Sequence, residues 1–409
     1  MTIPRSADQA ANAGTAGPTD PTRAARSVYA VFIAGGFVFA SWASRIPQFK
    51  ARLDVDPGRL GLILLAAALG SVVALPLAGM VVTRLGDARA VAVMSLVLAV
   101  GLAVAAVGYQ HGAVPVTAGL FVLGFGNGGW DVAMNVQGAA VEQRLGRAIM
   151  PRFHAGFSVG TVAGALVGSL MVALRVSPTE HLLVIAALTA LIVPAAARGF
   201  APAASRPGPA TAGGRRHPLK SWTEPRTLLI GIFVLCMAFA EGTGTDWLAV
   251  AVIDGYDAPA AVGTLVLAAF LAAMTAGRWV GPVVLDRHGR VPALRICILV
   301  AVIGLMLVVF SPSVATVLVG SVLWGLGASL GFPVGMSAAG EDPAHAAARV
   351  SVVASIGYTA FLAGPPLIGF LGDHFGVLHS LVVAAALLVV ALATVGATRR
   401  PQPVAGYGR

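Results

Sequence analysis

Apolar residues come in long continuous runs along the chain, separated by short polar or charged breaks. A helix that crosses the hydrocarbon core of a bilayer needs roughly 20 apolar residues. Runs of that kind are placed at 28–48, 58–82, 90–109, 114–137, 151–174, 180–198, 227–252, 260–284, 292–310, 313–337, 349–372 and 376–397. They are continuous and do not alternate, which predicts helices and excludes the dyad pattern of a membrane β-barrel. The fold class expected is an all-α membrane protein of twelve transmembrane helices. The first run lacks an A-x-A cleavage site and is expected to be a retained helix, not a signal peptide.

Composition supports a lipid environment. The chain is 57% hydrophobic and 11% charged, against about 25% charged residues in a soluble domain. The formal charge of +10 does not point to nucleic acid, because the basic residues form no patch and sit between apolar runs. With the N-terminus inside, only Arg45, Lys50, Arg52, Arg59 and Arg175 of the 27 Lys and Arg fall outside. Arg278 falls within a run, and the remainder fall inside. That bias predicts both termini in the cytoplasm.

The polar breaks divide the chain into a disordered cytoplasmic N-terminus at 1–27, a six-helix bundle at 28–198, a flexible linker at 199–226, a second bundle at 227–397 and a tail at 398–409. Cys236 and Cys297 lie within apolar runs, so no disulfide or metal site is expected.

The two bundles match in sequence. Phe39-Ala40-Ser41 aligns with Phe239-Ala240-Glu241, Gly61 and Gly79 with Gly263 and Gly281, and Gly119, Gly124 and Gly126 with Gly320, Gly325 and Gly327. Arg152, Ser158 and Gly160 align with Arg349, Ser355 and Gly357. A preserved order of matches predicts duplication and two pseudo-symmetric bundles, with a binding site where they meet.

After the second run comes Gly79, then Thr83-Arg84-Leu85-Gly86 and Arg89. After the eighth comes Asp286-Arg287-His288-Gly289-Arg290, with Pro282 beside Gly281. This pair resembles the G-x-x-x-D-R/K-x-G-R/K-R/K signature of the major facilitator superfamily. The first copy departs from it by placing Thr83 at the acidic position, with Asp87 close by. The resemblance implies the fold of that superfamily, with first and fourth helices of each half lining a central cavity. It also implies a cytoplasmic gate formed by Arg84, Arg89, Asp286, Arg287 and Arg290. The fourth run is similar to fucose-permease-like bacterial carriers. The G-P pair common in the fifth helix of drug exporters of the superfamily is absent.

Ionisable groups inside a membrane usually face a cavity or a partner. Asn127, Asp131 and Asn135 recur every four residues in the fourth run, beside Trp130, and form one helical stripe. Asp131 is the leading site for a proton or substrate, since a carboxyl there can exchange a proton as access alternates. The competing reading pairs it with Arg45 or Arg152. Glu241 lies about 21 Å along the seventh helix and is the second candidate, next to a Gly242/Gly244 pair that predicts a bend or break. Arg45 either attracts an anionic solute, pairs with Glu241 or Asp246, or snorkels to the interface. Arg278 is expected to snorkel or pair with Asp286. Trp247 is expected to be an interfacial anchor, and His154 a packed or solvated residue at the cytoplasmic edge. Gly156, Gly160, Gly164 and Gly168 make a groove for another helix.

These features predict a secondary active transporter of a small polar solute in the cytoplasmic membrane, proton-coupled and working as a monomer. Its expected partners are the solute, protons and the lipid bilayer, with no nucleic acid and no cofactor. The alternatives are a proton-driven efflux carrier for amphipathic compounds and a membrane-embedded enzyme acting on a lipid-linked substrate. The enzyme reading lacks the clustered acids it needs, and no G-x-x-x-x-G-K-S/T loop supports ATP hydrolysis.

Overall fold

The computed structural model describes residues 21–145, 149–200, 218–342 and 345–400. The N-terminal half contains α1 (Pro21–Ala43), α2 (Ile46–Leu53), α3 (Pro57–Leu85), α4 (Asp87–Gly108), α5 (Ala113–Leu145), α6 (Met150–Ala173) and α7 (Pro178–Ala197). The C-terminal half contains α8 (Pro225–Tyr256), α9 (Ala260–His288), α10 (Arg290–Phe310), α11 (Val314–Ala328), α12 (Gly331–Ala339), α13 (Ala346–Phe375), α14 (Val377–Ser380) and α15 (Val382–Thr394). Among the described residues, 11 spans are long and apolar enough to cross a membrane. Adding α5 completes the expected twelve. Its glycines and the Asn127/Asp131/Asn135 stripe dilute its apolar character.

Most of the expected disordered segment 1–27 and of the linker 199–226 lies outside the described residues, as does the tail from 401 onward. The described part of 1–27 corrects the expectation of disorder there. From Pro21 the chain is already α1, and Ala24, Ala25 and Val28 are buried.

Packing repeats as the sequence does. In the first half α1 packs on α6, and α5 packs on both α3 and α4. In the second, α8 packs on α13, and α11 on both α9 and α10. The halves meet through α3 against α13 and α6 against α9. The groove of Gly156, Gly160, Gly164 and Gly168 is filled by α1. A methyl group on Gly160 would collide with the Ile33 carbonyl, and one on Gly164 with the Phe37 carbonyl. Helices in lipid gain their affinity from this kind of close approach.

The signature loops also owe their form to glycine. Gly86 ends α3 with φ 78° and ψ 161°, and Gly289 ends α9 with φ 80° and ψ 163°. That region of backbone space is essentially reserved for glycine. The same sharp turn therefore appears at corresponding places of the two halves.

Candidate functional site: a polar cleft between the halves

α5 brings Asn127, Asp131 and Asn135 to one half-buried face, while Gly128, Gly129, Trp130, Ala133 and Met134 beside them are buried. Asn135 Nδ2 donates to the Asp131 carbonyl at 2.8 Å and to its Oδ1 at 3.1 Å. Asp131 thus takes its hydrogen bond from its own stripe, not from Arg45 or exposed Arg152. Tyr358 of α13 lies within electrostatic reach of Asp131 from the other half. Trp130 is 2% exposed and lies beside Gly35 of α1. Its indole belongs to the interior of the first half in this conformation.

The second half supplies an ion pair. Arg278 Nη2 on α9 donates to Glu241 Oε1 on α8 at 2.7 Å. Arg278 Nε also points to the Ser329 carbonyl at 3.4 Å. Ser329 sits between α11 and α12, where the tenth span is broken. A carbonyl freed at a helix break needs a donor, and the guanidinium meets that need. The expectation that Arg278 snorkels or pairs with Asp286 is therefore corrected. The expected break at Gly242/Gly244 is corrected too, because α8 runs unbroken through both. A methyl group on Gly244 would press on the Phe270 ring, so this glycine serves packing. His154 of α6 is exposed, stacks edge-on to Phe32 and feels the charge of Arg278.

Arg45 and Trp247 differ from expectation. Arg45 is 1% exposed, and its Nε meets His181 Nδ1 at 3.0 Å. It neither snorkels nor reaches Glu241 or Asp246, because the chain turns inward between α1 and α2 and carries it under α7. Trp247 is fully buried, not an interfacial anchor. With half-buried Asp246 it lines a small pocket between α8 and α13. Cys236 and Cys297 are both free thiols.

The two ends of the molecule are organised differently. At the end away from the linker, contacts join the halves. Lys50 Nζ on α2 pairs with Asp254 Oδ2 on α8 at 2.7 Å, and the Gly58 N–H at the start of α3 donates to Asp373 Oδ1 of α13 at 2.9 Å. Gly61 abuts the carbonyl of Pro365, and Gly369 that of Pro57. About half-way along, Thr275 Oγ1 of α9 donates to the Ser158 carbonyl of α6 at 3.3 Å.

At the linker end, the ion pairs of Glu341 and Glu224 stay within the second half. Glu341 accepts from Arg226 at 2.8 Å and is also paired with Arg290. Arg349 Nε donates to Glu224 Oε2 at 2.6 Å. In the first half, Glu142 accepts the backbone N–H groups of Met150 and Ile149, which hold its carboxyl below the ordinary glutamate value. Of the expected gate residues, Arg290 alone is seen in an ion pair, with Glu341. Arg84, Arg89, Asp286 and Arg287 are exposed. Gly79 faces open space. The cleft therefore closes away from the linker and opens toward it.

Sequence reasoning missed Tyr358, Ser329, His181, Glu224 and Glu341. Glu341 alone left a signal, since it stands near the place in the second half that Glu142 occupies in the first. The others depend on which helices become neighbours.

The model of the Major Facilitator Superfamily matches residues 28–284 and 248–407. The chain belongs to that family. It is 31% identical over 372 residues to an uncharacterized MFS-type transporter of Yersinia pestis, covering 90% of this chain and 93% of the relative. It is 30% identical over 350 residues to an uncharacterized transporter of Sinorhizobium fredii, covering 85% and 91%. Among solved structures, it resembles a point mutant of the nucleoside transporter NupG with a TM-score of 0.76 at 15% identity, covering 92% of this chain and 100% of that one. A variant of the fucose:proton symporter FucP of E. coli matches with a TM-score of 0.63 at 16% identity, covering 92% and 98%. At these identities the solved structures speak for the fold. The chain is thus a multi-pass membrane transporter of this superfamily and not an enzyme.

Proposed function

We propose that this transporter moves a small polar solute across the bacterial cytoplasmic membrane by alternating access, coupled to protons, as a monomer with both termini in the cytoplasm. The single observation that carries the reading is the meeting of unlike polar groups across the cleft. Asp131 and Asn135 come from α5 and Tyr358 from α13, with the Glu241–Arg278 pair on the second half. Intramembrane charges of this kind mark solute and ion pathways. With the linker end assigned to the cytoplasm, the conformation is inward-facing.

In this scheme the amide and hydroxyl groups hold the solute, and the Glu241–Arg278 pair offers it both a carboxylate and a guanidinium. Asp131 exchanges a proton when the cleft opens, which ties the protonation state to the direction of access. The names of the solved neighbours place nucleosides and fucose among the first solutes to try. The experiment begins with a thermal-shift screen of purified protein against sugars, nucleosides and organic acids. A hit is then followed in proteoliposomes with an imposed pH gradient. Asp131→Asn should lose at least tenfold in gradient-driven accumulation while keeping solute exchange without a gradient. Accumulation equal to wild type would remove Asp131 from coupling. Efflux of amphipathic compounds from the same vesicles, with no response to polar solutes, would favour the exporter instead.

A further inference from the structure

Beyond the Asp131 stripe, the second half holds another carboxyl group in unusual surroundings. Asp246 lies on α8, five residues beyond Glu241, where a helix has advanced about 7.5 Å. It lines the pocket between α8 and α13 together with Phe239, Thr243, Trp247, Phe361 and Pro365. The room open to the centre of a water molecule is about 10 Å³, at the lower edge of the roughly 10–15 Å³ that one water needs. The pocket is too small for a solute of sugar size, and at most one water fits.

Two polar atoms in the lining residues are buried without partners. Thr243 is 3% exposed and its Oγ1 makes no hydrogen bond; Trp247 is fully buried and its indole Nε1 makes none. Buried donors are nearly always satisfied, so these two are unspent donors in residues that line the same pocket as Asp246. Asp246 has no cationic partner among the described residues.

The ionised groups on the helices packed against α8 are paired elsewhere or lie near helix ends, as exposed Arg52 of α2 does. On α8 itself Glu241 is held by Arg278 of α9, and Asp254 by Lys50 of α2. From α13, Tyr358 lies toward Asp131, Asp373 caps α3, and Arg349 is paired with Glu224 at the linker end. His374 of α13 hydrogen-bonds the Phe370 carbonyl, and His379 of α14 meets Phe310 edge-on. Asp286, Arg287 and His288 lie in the last turn of α9, at the linker end. The sequences of α11, α12 and α15 contain no ionisable side chain.

A carboxylate in an apolar pocket with no cation nearby keeps its charge only at a high cost, and the usual resolution is to bind a proton. Glu241 has the opposite environment, because Arg278 compensates its charge. We propose that Asp246, with the Thr243 hydroxyl and the Trp247 indole N–H, is a proton-binding site of the second half, complementing Asp131 in the first. The carboxylate takes a proton from water while the pocket is open and is neutral when the pocket closes. It returns the proton to water when α13, which carries Gly364 and Pro365 along the pocket wall, moves away from α8. Thr243 and Trp247 then donate to the ionised form. This rests on the proton-coupled reading above and assigns Glu241 to the solute in place of the proton.

The test is infrared spectroscopy of the protonated carboxyl group, which needs no knowledge of the solute. The full-length Asp131→Asn protein is prepared with carbon-13 aspartate, so that an aspartic acid carbonyl band is separated from glutamic acid. In mild acid this protein should retain one isotope-shifted band that disappears on raising the pH. The same band should be lost when Asp246→Asn is made in the labelled wild type. If Asp246→Asn does not fold, the labelled Asp131→Asn protein decides alone: absence of the band at every pH overturns the proposal. Failure here leaves the carrier reading standing on the Asp131 flux measurement. Failure of that measurement with the band present removes coupled flux without removing the proton site.

Discussion

A charge taken from water into a helical bundle costs several kcal/mol unless a partner compensates it. Compensation here depends on single contacts. Glu241 has Arg278, and Asp131 has the amide of Asn135. Among the described residues, Arg45 hydrogen-bonds the ring of His181, and its Nη2 has no hydrogen-bond partner. Outside the spans the same logic gives a pH dependence. Glu224, just before α8, accepts from Arg349 Nε and from the Thr227 hydroxyl at 2.9 Å. The Arg349 hydrogen bond is the larger influence and holds the Glu224 carboxyl below its ordinary value. A lowered native value stabilises the fold above the ordinary carboxylate range, and that contribution is lost as pH falls through the lowered value. The pair is partly exposed, so it is worth at most about 1 kcal/mol. Wild type should therefore melt slightly above Glu224→Gln at neutral pH. The gap should vanish in acid below the glutamate range, as followed by tryptophan fluorescence.

At the scale of elements, small residues decide which helices pair. Gly160 admits the backbone of α1 at Ile33, and no rotamer change relieves a clash with a carbonyl. Gly160→Ala should cost roughly 1–3 kcal/mol and lower the melting temperature and yield of folded protein. Gly79→Ala, whose added methyl group meets nothing within 4 Å, should leave the melting temperature unchanged or slightly raised, since alanine is the better helix former. Equal effects at the two positions would contradict the α1–α6 packing. The tenth span illustrates the limit of such reading. Gly325, Gly327, Gly331 and Gly335 all invite close packing, yet the chain breaks at Ser329–Leu330, where Arg278 supplies a donor. The Gly242/Gly244 pair of α8 invited a break and received the rings of Phe361 and Phe270 instead.

At the scale of the molecule, the contacts across the halves define one conformation of an equilibrium. Lys50–Asp254 and the Asp373 cap on α3 hold the end away from the linker. The linker-end ion pairs bind parts of the second half to each other and leave the cleft free to open there. An exposed ion pair contributes up to about 1 kcal/mol, and a helix N-terminal cap about 1 kcal/mol. Losing both should move the open–closed ratio by roughly tenfold or more. The double variant Lys50→Ala/Asp373→Ala should accordingly populate a state open at that end. Spin labels at exposed Arg52 and His379 would report it as a second, longer distance. A distance distribution identical to wild type would mean that the Gly61–Pro365 and Gly369–Pro57 contacts carry the closure.

The sequence by itself determined the membrane setting, the helical spans, the duplication and the family. These follow from hydropathy, periodicity and local motifs, which act over distances of a few residues. The Asn127/Asp131/Asn135 stripe was legible for the same reason, because a four-residue spacing fixes a shared face on any helix. The tertiary structure decided who meets whom: Arg278 with Glu241, Arg45 with His181, Arg290 with Glu341, and Trp247 in the interior instead of at the interface. The physical reason is that a charge or an indole is satisfied by whichever donor or acceptor packing brings within about 3 Å. In a bundle held together by backbone contact at glycine, a change in one helix crossing selects a different partner.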